Sequence, residues 1–332
     1  MRFPALSGLA AVLALILFAY VGAGLLGLQT LFGIVIPYVA LALFIVGFIY
    51  RIVTWAASPV PFHIPTVCGQ QKSLPWIKAD NRESPYTTVG LIARMALEVL
   101  FFRSLFRNDR VELKRHEKLV YGSNRWLWLG GLVFHWSLAL ILFRHLRFVT
   151  EPVLPGIGWV ETIDGMFQIG IPTFFLTDIA IMAAVTYLFL RRVVSPQLRT
   201  LSLPSDYFVL CLLGAVVVSG LLMRHVFKAE PTRIKEMFMG FVAFQPSVPV
   251  GLGTVFYVHL FLASALFAYF PFSKLMHAAG VFLSPTRNLK NDSRAVRHVN
   301  PWAYPVKVHT YAEYEDEFRE QMKDVKLPLE RQ

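Results

Sequence analysis

Arg125–Thr150, RWLWLGGLVFHWSLALILFRHLRFVT, decides how the rest of the chain is read. Apart from its ends it is apolar and long enough to cross a bilayer as a helix, yet it contains His135 and His145. Ionisable side chains inside a span are costly and mark functional paths. The last apolar stretch carries a second pair, His259 and His277. With ~1.5 Å rise per residue, the first pair lies about 15 Å apart along its helix and the second about 27 Å. Eighteen residues make close to five turns of an unbroken helix, so His259 and His277 are expected on one face. Antiparallel helices would set His145 opposite His259 near one surface and His135 opposite His277 near the other. Two stacked bis-histidine sites of this kind suit two haems. Gly130, Gly131 and Ala263, about a turn from these histidines, are expected to leave room for the macrocycles.

A lone intramembrane histidine commonly bonds a neighbouring helix and does nothing more. Four that close as two pairs argue for cofactor ligation. Zinc fits less well, because no cluster of Cys, His and carboxylate sits close in sequence. There is no C-x-x-C-H, so covalent c-type attachment is excluded and the expected haems are b-type. The four histidines are therefore the expected axial ligands of the haem irons.

The composition agrees with a membrane setting. Of 332 residues 55% are hydrophobic, and the mean hydropathy is +0.53. The net charge of +11 would suggest nucleic acid for a soluble protein, but the basic residues fall in particular loops, where they set membrane orientation. Nucleic acid is therefore not an expected partner; the lipid bilayer is. Cys68 and Cys211 match no disulfide or metal spacing and read as incidental. The apolar N-terminus runs straight into a second apolar stretch, so it reads as a retained span and not as a signal peptide.

The expected architecture is an all-α integral membrane protein of about six transmembrane helices, at 5–28, 32–55, 127–149, 166–190, 206–227 and 252–283. It divides into an N-terminal hairpin (1–55), a basic connector (56–125), a four-helix dihaem core (126–284) and a tail (285–332). The connector holds eleven Lys/Arg against six acids. Within it 88–106 reads as a helix interrupted by Arg94, Glu98 and Arg103, lying on the membrane surface or against a partner. The 149–165 connector has no Lys or Arg and carries Glu151, Glu161 and Asp164, whereas 191–205 has three arginines and no acid. This alternation places the basic connectors, the tail and both termini in the cytoplasm. His63, His116, His298 and His309 read as ordinary polar residues.

Asp178, within the fourth span, is expected either to pair with an Arg or His or to lie on a proton path. Pro271 should kink the last span between its histidines. Arg144, Arg224 and Lys274 are candidate counter-charges for haem propionates, though snorkelling would explain them equally. His225, near the outer surface, is either an alternative ligand or part of a substrate pocket. A quinone exchanges protons as well as electrons, so its pocket needs an ionisable residue beside a haem. The candidates are His225, Arg144, Glu161, Asp164 and Asp178, at the outer end.

Two His ten apart, answered by two His eighteen apart, resemble the dihaem cytochrome b of respiratory nitrate reductase, the gamma-subunit family, over roughly 126–284. The resemblance implies electron transfer, with His145 and His259 on the outer haem and His135 and His277 on the inner one. The chain departs from that form by its N-terminal hairpin, basic connector and charged tail. With those parts, and especially the ending VHTYAEYEDEFREQMK, the whole chain is similar to the DsrM family, the membrane cytochrome b subunits of DsrMKJOP complexes in sulfur metabolism. That similarity implies a cytoplasmic iron–sulfur subunit resembling heterodisulfide reductase and a periplasmic multihaem cytochrome c. It also implies further membrane and iron–sulfur subunits and menaquinone or a similar quinone. A proton or metal transporter is disfavoured, because no internal repeat or matched pair of broken helices is present. A plain membrane anchor would not need four paired histidines.

Overall fold

The computed structural model describes residues 3–58, 76, 80–106, 110–114, 118–168, 172–292 and 309–330. The expectations for His63, Cys68, His116 and His298 lie outside these. Apolar runs dominate and the result is almost entirely helical. α1 (Phe3–Ala19) continues through a π-helical turn (Tyr20–Leu25), and a second π turn (Leu31–Val35) opens α2 (Ile36–Ala56). α3 (Thr88–Phe101) and α4 (Arg103–Phe106) precede an antiparallel two-stranded hairpin of β1 (Arg110–Lys114) and β2 (Lys118–Gly122). Then come α5 (Arg125–His145), α6 (Pro155–Asp164), α7 (Leu176–Val194), α8 (Pro196–Leu201), α9 (Pro204–Leu221) and α10 (Pro231–Val242). α11 (Thr254–Tyr269), α12 (His277–Gly280), α13 (Pro285–Asn288) and the tail helix α14 (Tyr311–Asp324) complete the chain.

Five helical runs among the described residues are long and apolar enough to cross a membrane: Pro4–Leu25, Leu31–Ala56, Arg125–Phe148, Pro204–Val226 and Thr254–Phe272. The fourth expected span, 166–190, is corrected. Its helix begins only at Leu176, because 165–168 turn and Phe175 is extended at its N-cap. The resulting 19-residue α7 carries Asp178, Arg191 and Arg192, and these charges take it out of the purely apolar class. It still packs within the bundle, where Ile181, Ala184 and Val185 meet Phe134 of α5 and Leu213 of α9.

The last expected span, 252–283, is likewise not one helix. Proline cannot donate to the helical ladder, and around Pro271 the chain passes through short 3-10 turns at Phe270–Phe272 and Lys274–Met276, with extended Ser273 between them. His277 therefore opens a separate short helix, and the same-face argument for an unbroken helix does not apply to it.

The N-terminal hairpin is built into the core. Val12, Ala19, Ala23 and Phe32 are buried with Leu212 of α9 and Phe256, Phe261 and Leu262 of α11. At about 25 cal/mol per Å² of buried apolar surface, such contacts would stabilise strongly against water; between lipid-immersed helices the gain comes from close packing instead.

Candidate functional site

α5 and the α11–α12 segment bring the histidines together in the expected order. At one site the rings of His135 and His277 have centroids 6.0 Å apart, at 88° to one another. Two imidazoles this close could hold one metal-containing group between them. At the other site His145, closing α5, lies within electrostatic reach of His259, one turn into α11.

Each ring has its Nδ1 engaged, as an imidazole that ligates through Nε2 requires. The Nδ1–H of His135 donates to the carbonyl of Gly131 (2.7 Å), that of His145 to Ile141 (2.7 Å) and that of His277 to Lys274 (2.7 Å). A carbonyl only accepts, so these nitrogens carry the protons and each Nε2 keeps a lone pair for a metal. His259 is held from another helix: its Nδ1 lies 3.0 Å from Ser219 Oγ, which donates to the carbonyl of Val216 at 3.0 Å. No group of three or more His, Cys, Asp or Glu able to hold a metal ion occurs among the described residues. The donor set is two imidazoles per site, which suits a group that brings its own equatorial ligands.

The expected roles of the glycines change. A Cβ on Gly130 would sit 2.6 Å from the Tyr187 ring, so Gly130 serves the close approach of α5 to α7, and at Gly131 a Cβ would meet Leu105 at 3.6 Å. The glycine that makes room for a histidine ring is Gly220, where a Cβ would lie 3.2 Å from Cε1 of His259.

The charges near His145 form a closed cluster. Arg144 donates to Thr177 Oγ1 (3.0 Å) and Asp178 (3.1 Å), and its other terminal nitrogen is 3.4 Å from Asp164. Asp164 accepts from the backbone N–H (2.8 Å) and hydroxyl (2.6 Å) of Thr177. It thereby serves one of the otherwise orphan N–H groups at the start of α7. Phe175 lies between two guanidinium groups, Arg144 at 3.8 Å and Arg224 at 4.3 Å from its ring centre. Of the expected quinone-site residues, Arg144, Asp164 and Asp178 are thus brought together and pair with each other, and Glu161 pairs with Arg147. His225 stacks on Phe174 (3.7 Å, 9°), and its Nε2 is buried with no hydrogen-bond partner. Lys274 pairs with Asp206 at 2.8 Å.

Sequence reasoning missed Ser219, Gly220, the bonds of Asp164 to Thr177 at the start of α7, and Phe102, whose ring lies 4.8 Å from that of His135. A serine–glycine pair in an apolar helix was the one available signal for the first two.

Comparison with known proteins follows from this geometry. The family described as nitrate reductase gamma subunit matches residues 88–298. That range takes in α3 and α4, within the connector that the sequence reading counted as a departure. A cytochrome b-like subunit of an Hdr-like menaquinol oxidoreductase from Archaeoglobus fulgidus is 49% identical over 279 residues, covering 82% of this chain and 83% of the relative. Its counterpart from Archaeoglobus profundus is 40% identical over 274 residues, covering 80% and 81%. The nitrate reductase gamma chain of Bacillus subtilis is 26% identical over 171 residues, 48% of this chain and 74% of that one.

Proposed function

The chain belongs to the nitrate reductase gamma subunit family, and on that premise we propose that it carries electrons through the membrane between a quinol pool and a soluble iron–sulfur partner. The carrying observation is the pairing of four imidazoles across α5 and α11–α12, each with Nδ1 engaged. His145 and His259 would hold one haem b, His135 and His277 a second, within the 126–284 core. A haem so held would supply one-electron chemistry. The protein's own part is to fix each ring's tautomer and orientation, and to close the sites with apolar helix faces.

The relatives' description as menaquinol oxidoreductase subunits supports menaquinol as the exchanging substrate. Its oxidation releases protons, and of the candidates at the outer end His225 alone combines an ionisable ring with an unpartnered buried nitrogen. Arg144, Asp164, Asp178 and Glu161 would then hold the frame in which His225 sits. The similarity to the DsrM family extends the reading to sulfur metabolism in the cytoplasmic membrane. The partners would be a cytoplasmic heterodisulfide reductase-like iron–sulfur subunit, a periplasmic multihaem cytochrome c, and further membrane and iron–sulfur subunits.

The test is a pyridine haemochrome assay on the purified protein, with an expected two haems b per chain; a value near zero overturns the reading. Orientation is checked by labelling single cysteines from outside the cell. Position 155 should react and positions 80 and 320 should not, because the basic connectors and both termini are assigned to the cytoplasm.

A further inference from the structure

The connector helix α3 is turned inside out. Its protein-facing side carries Arg94, 9% exposed, and Glu98, which accepts from the backbone N–H and hydroxyl of Ser104 (3.0 and 2.6 Å) and faces Arg287 at 3.6 Å. Its open side carries Val89, Ile92, Ala93, Ala96 and Leu100, all exposed. Those positions recur at helical spacing and form one narrow stripe without a charge or a hydrogen-bonding side chain. A helix facing water on that side would show the opposite arrangement.

The end of α3 gives a second, independent observation. A helix leaves its last carbonyls without partners, and in water solvent takes them. Here the indole N–H of Trp136 donates to Leu100 O (2.9 Å) and that of Trp128 to Phe101 O (2.7 Å). Both indoles belong to the Arg125–Phe148 span, and Trp136 stands about 16 Å along it from Arg125 at ~1.5 Å per residue. Where lipid surrounds a helix end, its carbonyls must be satisfied by protein.

The chain then reverses. Phe102 takes a left-handed conformation (φ 49°, ψ 46°), which is uncommon for a bulky residue, and lays its ring 4.8 Å from that of His135. From there α4 returns along α5: Leu105 reaches Gly131, and the Phe106 ring lies 4.9 Å from Trp128. The contacts retreat from His135 towards Arg125 as the chain advances. On the polar side, the N–H of Asn291 donates to Pro85 O (2.8 Å), and Arg103 pairs with Glu83 (2.8 Å).

We propose that α3 and α4 form a membrane-inserted hairpin. Its apolar stripe faces the acyl chains of the leaflet at the Arg125 end of α5, and its apex, Phe102, closes the lipid side of His135. The stripe favours lipid over a protein partner, because it offers small and aliphatic side chains and none of the aromatic or arginine anchors that dominate protein contacts. This does not depend on what the histidines bind.

Spin labels at I92C and A96C, in chains with Cys68 and Cys211 replaced by serine, test it in the assembled complex in lipid nanodiscs. V46C on the exposed face of α2 and E320C on the tail helix are the references. Both α3 labels should collide with oxygen as the V46C label does, and escape a water-soluble nickel chelate that reaches E320C. Nickel access equal to that of E320C would place the stripe in water or headgroups and overturn the proposal. Protection from both reagents would show a protein partner on the stripe and overturn it equally. If I92C disturbs folding, A96C, a small and exposed position, carries the test alone.

Discussion

The two histidine pairs stand ten residues apart along α5, one at mid-helix and the other at its C-terminal end, and are supported in different ways. His135 and His277 take their Nδ1 partners from their own helical turns, the carbonyls of Gly131 and Lys274. His277 opens a short helix that follows the break at Pro271. At the C-terminal end His145 also uses its own helix, but His259 is held from α9 by Ser219 and Val216. Beside that pair lies the Arg144–Asp164–Asp178 cluster. The His135–His277 pair is thus oriented locally and walled by a connector, while the His145–His259 pair, proposed as the outer one, depends on tertiary contacts among α5, α7, α9 and α11. A substitution outside the ligating helices should therefore disturb the outer pair more readily than the inner.

The largest expected effects come from the ligands. His145→Ala and His259→Ala should each lower the haemochrome content from two to one and give the same loss in the reduced spectrum. His135→Ala and His277→Ala should share a different loss. His225→Ala should keep both haems and slow reduction by quinol. The comparison breaks if His225→Ala removes the outer haem while His259→Ala leaves it intact, since His225 would then be the ligand.

Next in size is the charged cluster. Arg144 is 8% exposed and offsets the buried Asp164 and the partly buried Asp178. Removing one member of a buried ion pair costs roughly 3–5 kcal/mol because the remaining charge is uncompensated. Arg144→Ala should therefore lower the unfolding midpoint sharply in a thermal melt. Arg144→Ala with Asp164→Asn and Asp178→Asn should recover much of that loss. Equal midpoints for Arg144→Ala and the parent would show the cluster to be solvated.

The four histidines were legible because a titratable side chain in an apolar run is conspicuous, and because their spacing suits two antiparallel helices. The breaks were only partly legible. Pro271 announced a kink, but its outcome, two 3-10 turns and a fresh helix at His277, depends on how Gly47 admits Pro271, to which a Cβ there would come within 2.7 Å. Asp164 read as a loop acid, because its partners Thr177 and Arg144 come from other helices and sequence distance hides them. Asp178, left between pairing and proton transfer, pairs with Arg144. Ser219 and Gly220 were invisible for another reason: small residues are common in packed membrane helices, so only the neighbouring His259 gives them meaning.

Ser219 sharpens the comparison at intermediate size. Loss of an outer partner of a ligating histidine typically costs about 10–100-fold in metal affinity or activity. Because Val216 O also lies 3.1 Å from Nδ1 of His259, Ser219→Ala should fall at the low end, about tenfold faster haem loss. Only the outer haem should be affected, as followed by transfer to apomyoglobin. Equal loss from both sites would remove the distinction between local and tertiary support.

The smallest expected effect belongs to Phe102, and it probes the inner site from outside the ligating helices. Its ring contact with His135, at 4.8 Å and 57°, is of the kind worth about 0.5–1.5 kcal/mol beyond burial. Phe102→Ala should weaken inner haem retention by up to about tenfold, at 1.4 kcal/mol per factor of ten, and shift the inner haem's electron paramagnetic resonance signal. The outer signal should stay unchanged. Phe102→Trp keeps an aromatic face against the imidazole and should restore the parent signal, although the left-handed backbone at this position strains either residue alike. That shared strain makes the pair informative: a global loss of stability would follow both substitutions, whereas loss of the ring contact follows only the alanine. If Phe102→Ala moved the outer signal as much as the inner, the hairpin would be acting through the whole bundle, and the inner pair could no longer be called locally supported.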